Sequence, residues 1–117
     1  MPGKTPFDTS KRVASVAYKL NNEDYGSISE ADWTFFLVLY AEKHRWKVVH
    51  FPDSIKILGS AGAPDLLMMR GDKTITAELK TEKGQLSRFQ KMWKNSNPMN
   101  YQVWRPSEWE WIKYELA

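Results

Sequence analysis

The chain has 117 residues, no cysteine and a formal net charge of +3 at pH 7. This length supports one hydrophobic core, and the lack of cysteine excludes disulfides and thiolate metal sites, as is typical of an intracellular, cytoplasmic protein. No apolar run is long enough to span a bilayer, and we expect neither a secretion signal nor a membrane partner. The slight excess of basic residues is compatible with a nucleic-acid partner, although many soluble proteins are as basic.

Residues 1–26 are predicted to be an N-terminal extension, and residues 27–117 the main domain. A short helix is predicted over Thr9–Leu20, because four apolar residues recur there at helical spacing. This helix either docks on the domain or carries Lys11, Arg12 and Lys19 to a DNA backbone or a second subunit. Docking is the favoured interpretation, since three charges do not make a phosphate track.

A second helix is predicted to begin with a capping box, in which Ser27 is the N-cap and Glu30 the third helical residue. It continues to about His44, with an apolar stripe that faces the core. Glu30 lies at the end of that stripe, where an unpaired carboxylate would be costly. The capping role is one explanation for a carboxylate at this position.

A strand follows at Trp46–His50, and then a loop of small residues over 51–63. His50, at the strand end, either faces a functional cleft or serves in packing and hydrogen bonding, and the second role is favoured. Lys56, in the loop, is a candidate contact to a nucleic-acid backbone.

The centre of the chain is predicted to be a hairpin. Leu66–Met69 is an apolar run typical of a strand covered on both faces, and Gly71 supplies the turn. Thr74–Lys80 then alternates strictly, so Ile75, Ala77 and Leu79 face the core while Glu78 and Lys80 share the opposite surface. Asp65 immediately precedes the first strand of this hairpin.

Two carboxylates that converge from adjacent strands suit a hard divalent cation, which can activate water and neutralise charge on a phosphate. A lysine two residues beyond the second carboxylate reaches the same place. The alternative is an edge-strand turn with a surface ion pair, which is the usual meaning of an isolated E-x-K.

The next helix is predicted to begin with a capping box of Ser87 and Gln90. Its apolar residues Phe89, Met92 and Trp93 are predicted to face the core. Four cations are predicted to form a nucleic-acid-binding surface: Lys83, Arg88, Lys91 and Lys94.

The chain closes with a strand at Tyr101–Trp104 and a helix capped by Ser107 through Glu110. Its core residues are predicted to be Trp109, Ile112 and Leu116. Trp111 and Tyr114 are left partly outside, where they suit either base stacking or a dimer contact.

The ordered set G-A-P-D at 62–65, a hairpin, E-L-K-T-E-K-G at 78–84 and S-x-x-Q-x-x-W at 87–93 resembles the virus-type replication-repair nuclease (VRR-Nuc) branch of the PD-(D/E)xK nucleases. The chain is similar to small, phage-type, single-domain members over about Ser27 to Leu116. It departs from them at Arg45, where similar proteins often carry glycine.

This resemblance implies an α/β fold with a restriction-endonuclease-like core. The expected element order is α-β-β-β-α-β-α, with a mixed central sheet of about four strands flanked by helices. The pattern of predicted elements agrees with that order.

The resemblance also implies a Mg²⁺-dependent DNA endonuclease, in which Mn²⁺ substitutes for Mg²⁺. Asp65 and Glu78 would be metal ligands, with the Leu79 carbonyl as a further ligand and Glu30 a ligand directly or through water. Lys80 would position the attacking water, and Gln90 would support the site.

Branched DNA such as a four-way junction is one substrate that the resemblance implies. A junction resolvase must be a homodimer, whereas a nicking nuclease need not be. The alternative from another class is a non-catalytic nucleic-acid-binding or assembly subunit that retained the fold.

Overall fold

The structure is a computed structural model that describes residues 6–52, 61–96 and 100–117. Lys56 therefore lies outside the described residues. The helices are α1 (Pro6–Asn21), α2 (Glu30–Lys43), α3 (Arg88–Ser96) and α4 (Trp109–Leu116), and short 3₁₀ turns lie at Tyr25–Ser27 and Pro106–Glu108. The strands are β1 (Lys47–His50), β2 (Leu66–Arg70), β3 (Lys73–Leu79) and β4 (Tyr101–Trp104). The predicted α/β architecture with a mixed four-stranded sheet is confirmed.

The four strands form one open sheet in the order β1-β2-β3-β4. β2 pairs with β1 and with β3 in antiparallel orientation, and β4 runs parallel to β3. Gly71 adopts a φ of 63° in the tight turn between β2 and β3, as predicted. A parallel pair cannot be joined by a hairpin, so α3 serves as the crossover between β3 and β4.

The core lies on one face of the sheet. Ile75, Ala77 and Leu79 are buried there as predicted. Helices α1, α2 and α4 contribute the rest of this core, including Val16, Leu20, Trp33, Leu37, Ile112 and Leu116. The predicted docking of the first helix is what the structure shows.

The opposite face of β2 is less covered than predicted. Met68 is fully buried, but Met69 is 36% exposed, so this strand is not enclosed on both sides. A run of apolar residues does not reveal by itself whether a second layer covers it.

Helix α2 begins two residues later than predicted. Ser29, not Ser27, is the N-cap, and its hydroxyl accepts from the Asp32 N–H at 3.1 Å. Ser27 lies in the preceding 3₁₀ turn, where its hydroxyl donates to the Asp24 carboxylate. Glu30 is thus the first helical residue, and its predicted capping role is wrong.

The same helix ends in a Schellman motif. The Arg45 N–H donates to the Glu42 carbonyl and the Trp46 N–H to the Ala41 carbonyl. Arg45 has a φ of 70°, a conformation that favours glycine. This is the position at which the resemblance predicts glycine.

The predicted cap of the last helix is also wrong. Ser107 lies within the 3₁₀ turn that precedes α4, and its N–H donates to the Glu82 carboxylate. The Glu108 carboxylate accepts from the Arg105 N–H at 3.1 Å instead.

Candidate active site

Asp65 lies immediately before β2 and is almost completely buried. Its backbone carbonyl accepts from the Phe51 N–H at 2.8 Å, which extends the pairing of β1 and β2 by one position. Its carboxylate accepts from the Leu79 N–H at 2.8 Å. The side chain therefore closes the end of the β2–β3 pair, beside the residue that follows Glu78.

Glu78 is 2% exposed and lies near the end of β3. Continuing the β2–β3 register by one position sets it opposite Asp65, and residues in opposite positions project to the same face. The Lys80 ammonium is 4.0 Å from the Glu78 carboxylate. Strand alternation thus brings together the three residues of the predicted D…ExK set.

Gln90 connects helix α3 to this site. Its amide nitrogen donates to the Glu78 carboxylate at 2.7 Å, while its amide oxygen accepts from the Ser87 N–H at 2.8 Å. The Ser87 hydroxyl accepts from the Gln90 N–H at 3.1 Å, which completes the predicted capping box. One side chain therefore both caps α3 and contacts Glu78.

Tyr101 belongs to the site although the sequence does not indicate it. It is 4% exposed, and its hydroxyl donates to the Gly62 carbonyl at 3.2 Å. Burial, the charge of Glu78 and then that of Asp65, together with a hydrogen bond to Glu78, raise the pKa of its phenol well above the usual range. The phenol is consequently neutral and lies within electrostatic reach of both carboxylates.

Gly62 fixes the position of α3 against the site. Its φ is 84°, and a Cβ at this position would clash with the backbone of Phe89 and lie 2.8 Å from the Gln90 nitrogen. The Trp93 indole donates to the neighbouring Ala61 carbonyl at 3.0 Å. The turn before Asp65 and the start of α3 are therefore in direct backbone contact.

Glu30 and His50 lie on the other side of Asp65. All three line a cavity of about 610 Å³ between the start of α2 and the end of β1, together with Phe35, Phe51 and Arg12. Arg12 pairs with Asp32 at 2.7 Å and stacks over the Phe35 ring at 4.2 Å. Glu78 does not line this cavity, so Asp65 separates the Glu30 side of the site from the Glu78 side.

Within the described ranges, no three carboxylate or imidazole side chains come together as a metal-binding group. Glu30, Asp65 and Glu78 thus do not form one cluster. The Leu79 carbonyl is available as a further oxygen ligand. The N–H and C=O of one strand residue point to the same edge of the strand, and the Leu79 N–H points to Asp65. Asp65, Glu78 and the Leu79 carbonyl offer only oxygen atoms, which is the ligand type that a hard cation such as Mg²⁺ takes.

All four predicted cations are exposed. Arg88, Lys91 and Lys94 lie on α3, and Lys83 lies in the turn between β3 and α3. The predicted burial of Phe89 and Met92 is wrong, since they are 43% and 58% exposed, and Trp93 is only partly buried. The outer surface of α3 therefore carries both charge and apolar area.

No family model, no curated protein and no solved structure matches the chain. Among the described residues, no helix has the length and apolar character needed to cross a membrane.

Proposed function

We propose that the protein is a Mg²⁺-dependent DNA endonuclease of the VRR-Nuc type, with a PD-(D/E)xK core. The observation that carries this proposal is the pair of buried carboxylates, Asp65 and Glu78, at neighbouring strand positions with the Lys80 ammonium beside them. Burying two anions side by side is unfavourable unless cations or hydrogen-bond donors compensate them. A bound divalent cation would compensate the charge of both carboxylates.

The chain's own groups have separable roles in phosphodiester hydrolysis. Asp65 and Glu78 would hold the cation together with the Leu79 carbonyl, and Glu30 would contribute directly or through water from the cavity side. When bound, Mg²⁺ supplies a water of lowered pKa and neutralises charge that develops on the phosphate. Lys80 orients the attacking water and offsets negative charge in the transition state.

The remaining residues keep these groups in position. Gln90 donates to Glu78 and fixes its carboxylate orientation. Tyr101, held neutral beside both carboxylates, contributes a hydroxyl without adding a further negative charge. The exposed cations of α3 contact the DNA backbone, and this contact is independent of sequence.

The test is cleavage of labelled DNA by the wild type and by Glu78→Gln and Asp65→Asn. With Mg²⁺ or Mn²⁺ we expect the wild type to cut and each variant to lose at least about 100-fold in rate, because each removes a charged ligand. Both variants keep the side-chain volume, so circular dichroism should show an intact fold. Wild-type rates in either variant would refute the assignment.

The substrate structure is decided by a panel of duplex, flap, single-stranded and four-way-junction DNA together with light scattering. Paired, symmetric cuts in a junction by a homodimer identify a resolvase. Single nicks by a monomer identify a nicking nuclease. DNA binding without cleavage or Mg²⁺ binding identifies the alternative, a binding or assembly subunit that retained the fold.

A further inference from the structure

Helix α3 has an outward apolar surface that no described part of the chain covers. Phe89 is 43% and Met92 58% exposed, and none of the helix residues is fully buried. The two side chains lie three residues apart, which makes them neighbours on a helix surface. They form a continuous apolar patch, which we call the Phe89–Met92 patch.

Cations border this patch. The Arg88 guanidinium stacks over the Phe89 ring, 5.0 Å from its centroid. Arg88 and Met92 are one helical turn apart, and Lys91 and Lys94 follow Arg88 around the exposed surface on the same side of the patch. Apolar area beside a row of exposed cations matches a single nucleic-acid strand, whose phosphates need positive charge and whose bases need a flat apolar surface.

The patch is also held in a fixed place relative to the catalytic carboxylates. Gln90 lies on the inner side of α3 and contacts Glu78 at 2.7 Å. Phe89, the preceding residue, has its backbone packed against Gly62. A DNA strand that crosses the patch would therefore reach the carboxylates over a short distance, because the patch and the carboxylates are held in a fixed relative position.

A second exposed aromatic pair on the same molecule lacks this charge pattern. Trp111 and Tyr114 of α4 stack with ring centroids 6.0 Å apart and are 58% and 76% exposed. Their neighbours on α4 are Glu110 and Glu115, and the nearby cation Lys113 is already paired with Glu110 at 3.0 Å, so among the described residues no row of cations available to phosphate borders this pair. Substitution of this pair therefore serves as a control, because it removes exposed aromatic area that lacks such a row.

We propose that the Phe89–Met92 patch binds unpaired bases of a DNA strand and so directs the nuclease to DNA that contains a single-stranded segment. The inference rests on the proposed function, since it assigns a substrate class to that same site. Phe89 stacks on a base, Met92 fills the adjacent apolar space, and the flanking cations hold the phosphates. In fully paired DNA the bases are stacked on each other and offer no face to this patch.

The test measures DNA affinity by fluorescence anisotropy in EDTA, where a metal-dependent nuclease does not cut. The probes are a single-stranded oligonucleotide, a duplex with a single-stranded flap and a fully paired duplex of equal length. The proteins are the wild type, the double variant Phe89→Ser/Met92→Ser and the control Trp111→Ser/Tyr114→Ser. Met92→Ala is added because a 58% exposed side chain can be shortened with little risk to the fold.

We expect Phe89→Ser/Met92→Ser to weaken binding of the single-stranded and flap probes at least about fivefold, as loss of one stacked base predicts. Duplex affinity should change less than about twofold, and Met92→Ala should show the same selectivity to a smaller degree. The α4 control should bind all probes as the wild type does.

Equal losses on all three probes, no loss on the single-stranded probe, or no DNA binding by the wild type would overturn the inference. A failure of the proposed function is seen separately, as selective binding in EDTA without cleavage when Mg²⁺ is restored. Cleavage that is lost in the Glu78 variant but unchanged in the Phe89 and Met92 variants would contradict this inference and leave the proposed nuclease function standing.

Discussion

Gln90 shows how one residue serves two purposes through its two polar atoms. The amide oxygen completes the cap of α3, and the amide nitrogen holds Glu78. The sequence predicts both roles but leaves them as alternatives. In the structure the cap and the contact with Glu78 coexist, because an amide, unlike a carboxylate, has both an acceptor and a donor atom.

These two roles of Gln90 can be separated by mutation. Ser87→Ala removes the cap acceptor and leaves the contact with Glu78, whereas Gln90→Ala removes both. We expect each to lower the free energy of unfolding by about 1 kcal/mol. Only Gln90→Ala should also lower the Mg²⁺-dependent cleavage rate, by about 10-fold or more. Equal rates for the two variants would show that Gln90 acts only as a cap.

Tyr101 gives the site a measurable pH signature. Its phenol has an ordinary pKa of 10.0 in the unfolded chain, and burial beside Glu78 and Asp65 raises that pKa in the folded protein. Above pH 10 the unfolded chain loses a proton that the folded protein keeps. The stability associated with this proton is therefore present below pH 10 and is lost as the pH rises above it.

Urea unfolding at pH 10 and pH 11 measures this effect. Between these pH values we expect the wild type to lose about 1 kcal/mol more stability than Tyr101→Phe, which has no phenolic proton. The other tyrosines and the lysines titrate in both proteins and cancel in the comparison. Parallel losses in the two proteins would mean that the phenol is not held neutral by the site.

At the scale of elements, α3 is tied to the site more than to the core. It has no fully buried residue, and its inner contacts include those of Gln90 with Glu78, Trp93 with Ala61 and with the Tyr101 ring, and the Phe89 backbone with Gly62. A helix held by so few apolar contacts depends strongly on the close approach that glycine permits.

Gly62→Ala tests this dependence, and Gly71→Ala is its matched control. Both glycines have positive φ, but a Cβ at Gly71 would meet open space. We expect Gly71→Ala to lower the free energy of unfolding by about 1 kcal/mol and Gly62→Ala by about 2–3 kcal/mol, because the second change also forces α3 away. Chemical denaturation measures both, and equal losses would contradict the close approach.

The strands were more predictable than the caps. In β3 each residue's face follows directly from alternation, so the placement of Glu78 and Lys80 could be derived from sequence. The start of α2 could not, because Ser27–Glu30 and Ser29–Asp32 are both serine-to-acid pairs with capping-box spacing. Only the chain path before the helix decides between them.

Tyr101 and the Phe89–Met92 patch mark two limits of sequence reasoning. Tyr101 reaches Glu78 through the parallel pairing of β4 with β3, a non-local contact that no local pattern encodes. For Phe89 and Met92, periodicity indicates which side chains share a helix face but not whether another layer covers that face. Both cases concern how elements are arranged around the site.

For the whole molecule, the division of the sheet into two faces organises the proposed chemistry. One face carries the core built with α1, α2 and α4, while Glu78 and Thr76 point to the other, where α3 lies. Asp65 stands at the strand end between this face and the cavity that contains Glu30. The carboxylates are thus held by the rigid sheet, and the exposed cations lie on the element beside it.

The central claim is that Asp65 and Glu78 together hold a divalent cation. Isothermal titration calorimetry with Mn²⁺ tests it most directly, using the wild type, Asp65→Asn, Glu78→Gln and the distant control Glu110→Gln. The wild type and Glu110→Gln should bind Mn²⁺ with the same affinity, and each site variant should bind at least about 10-fold more weakly. A wild type that binds no Mn²⁺, or site variants that bind it as tightly as the wild type, would contradict the account.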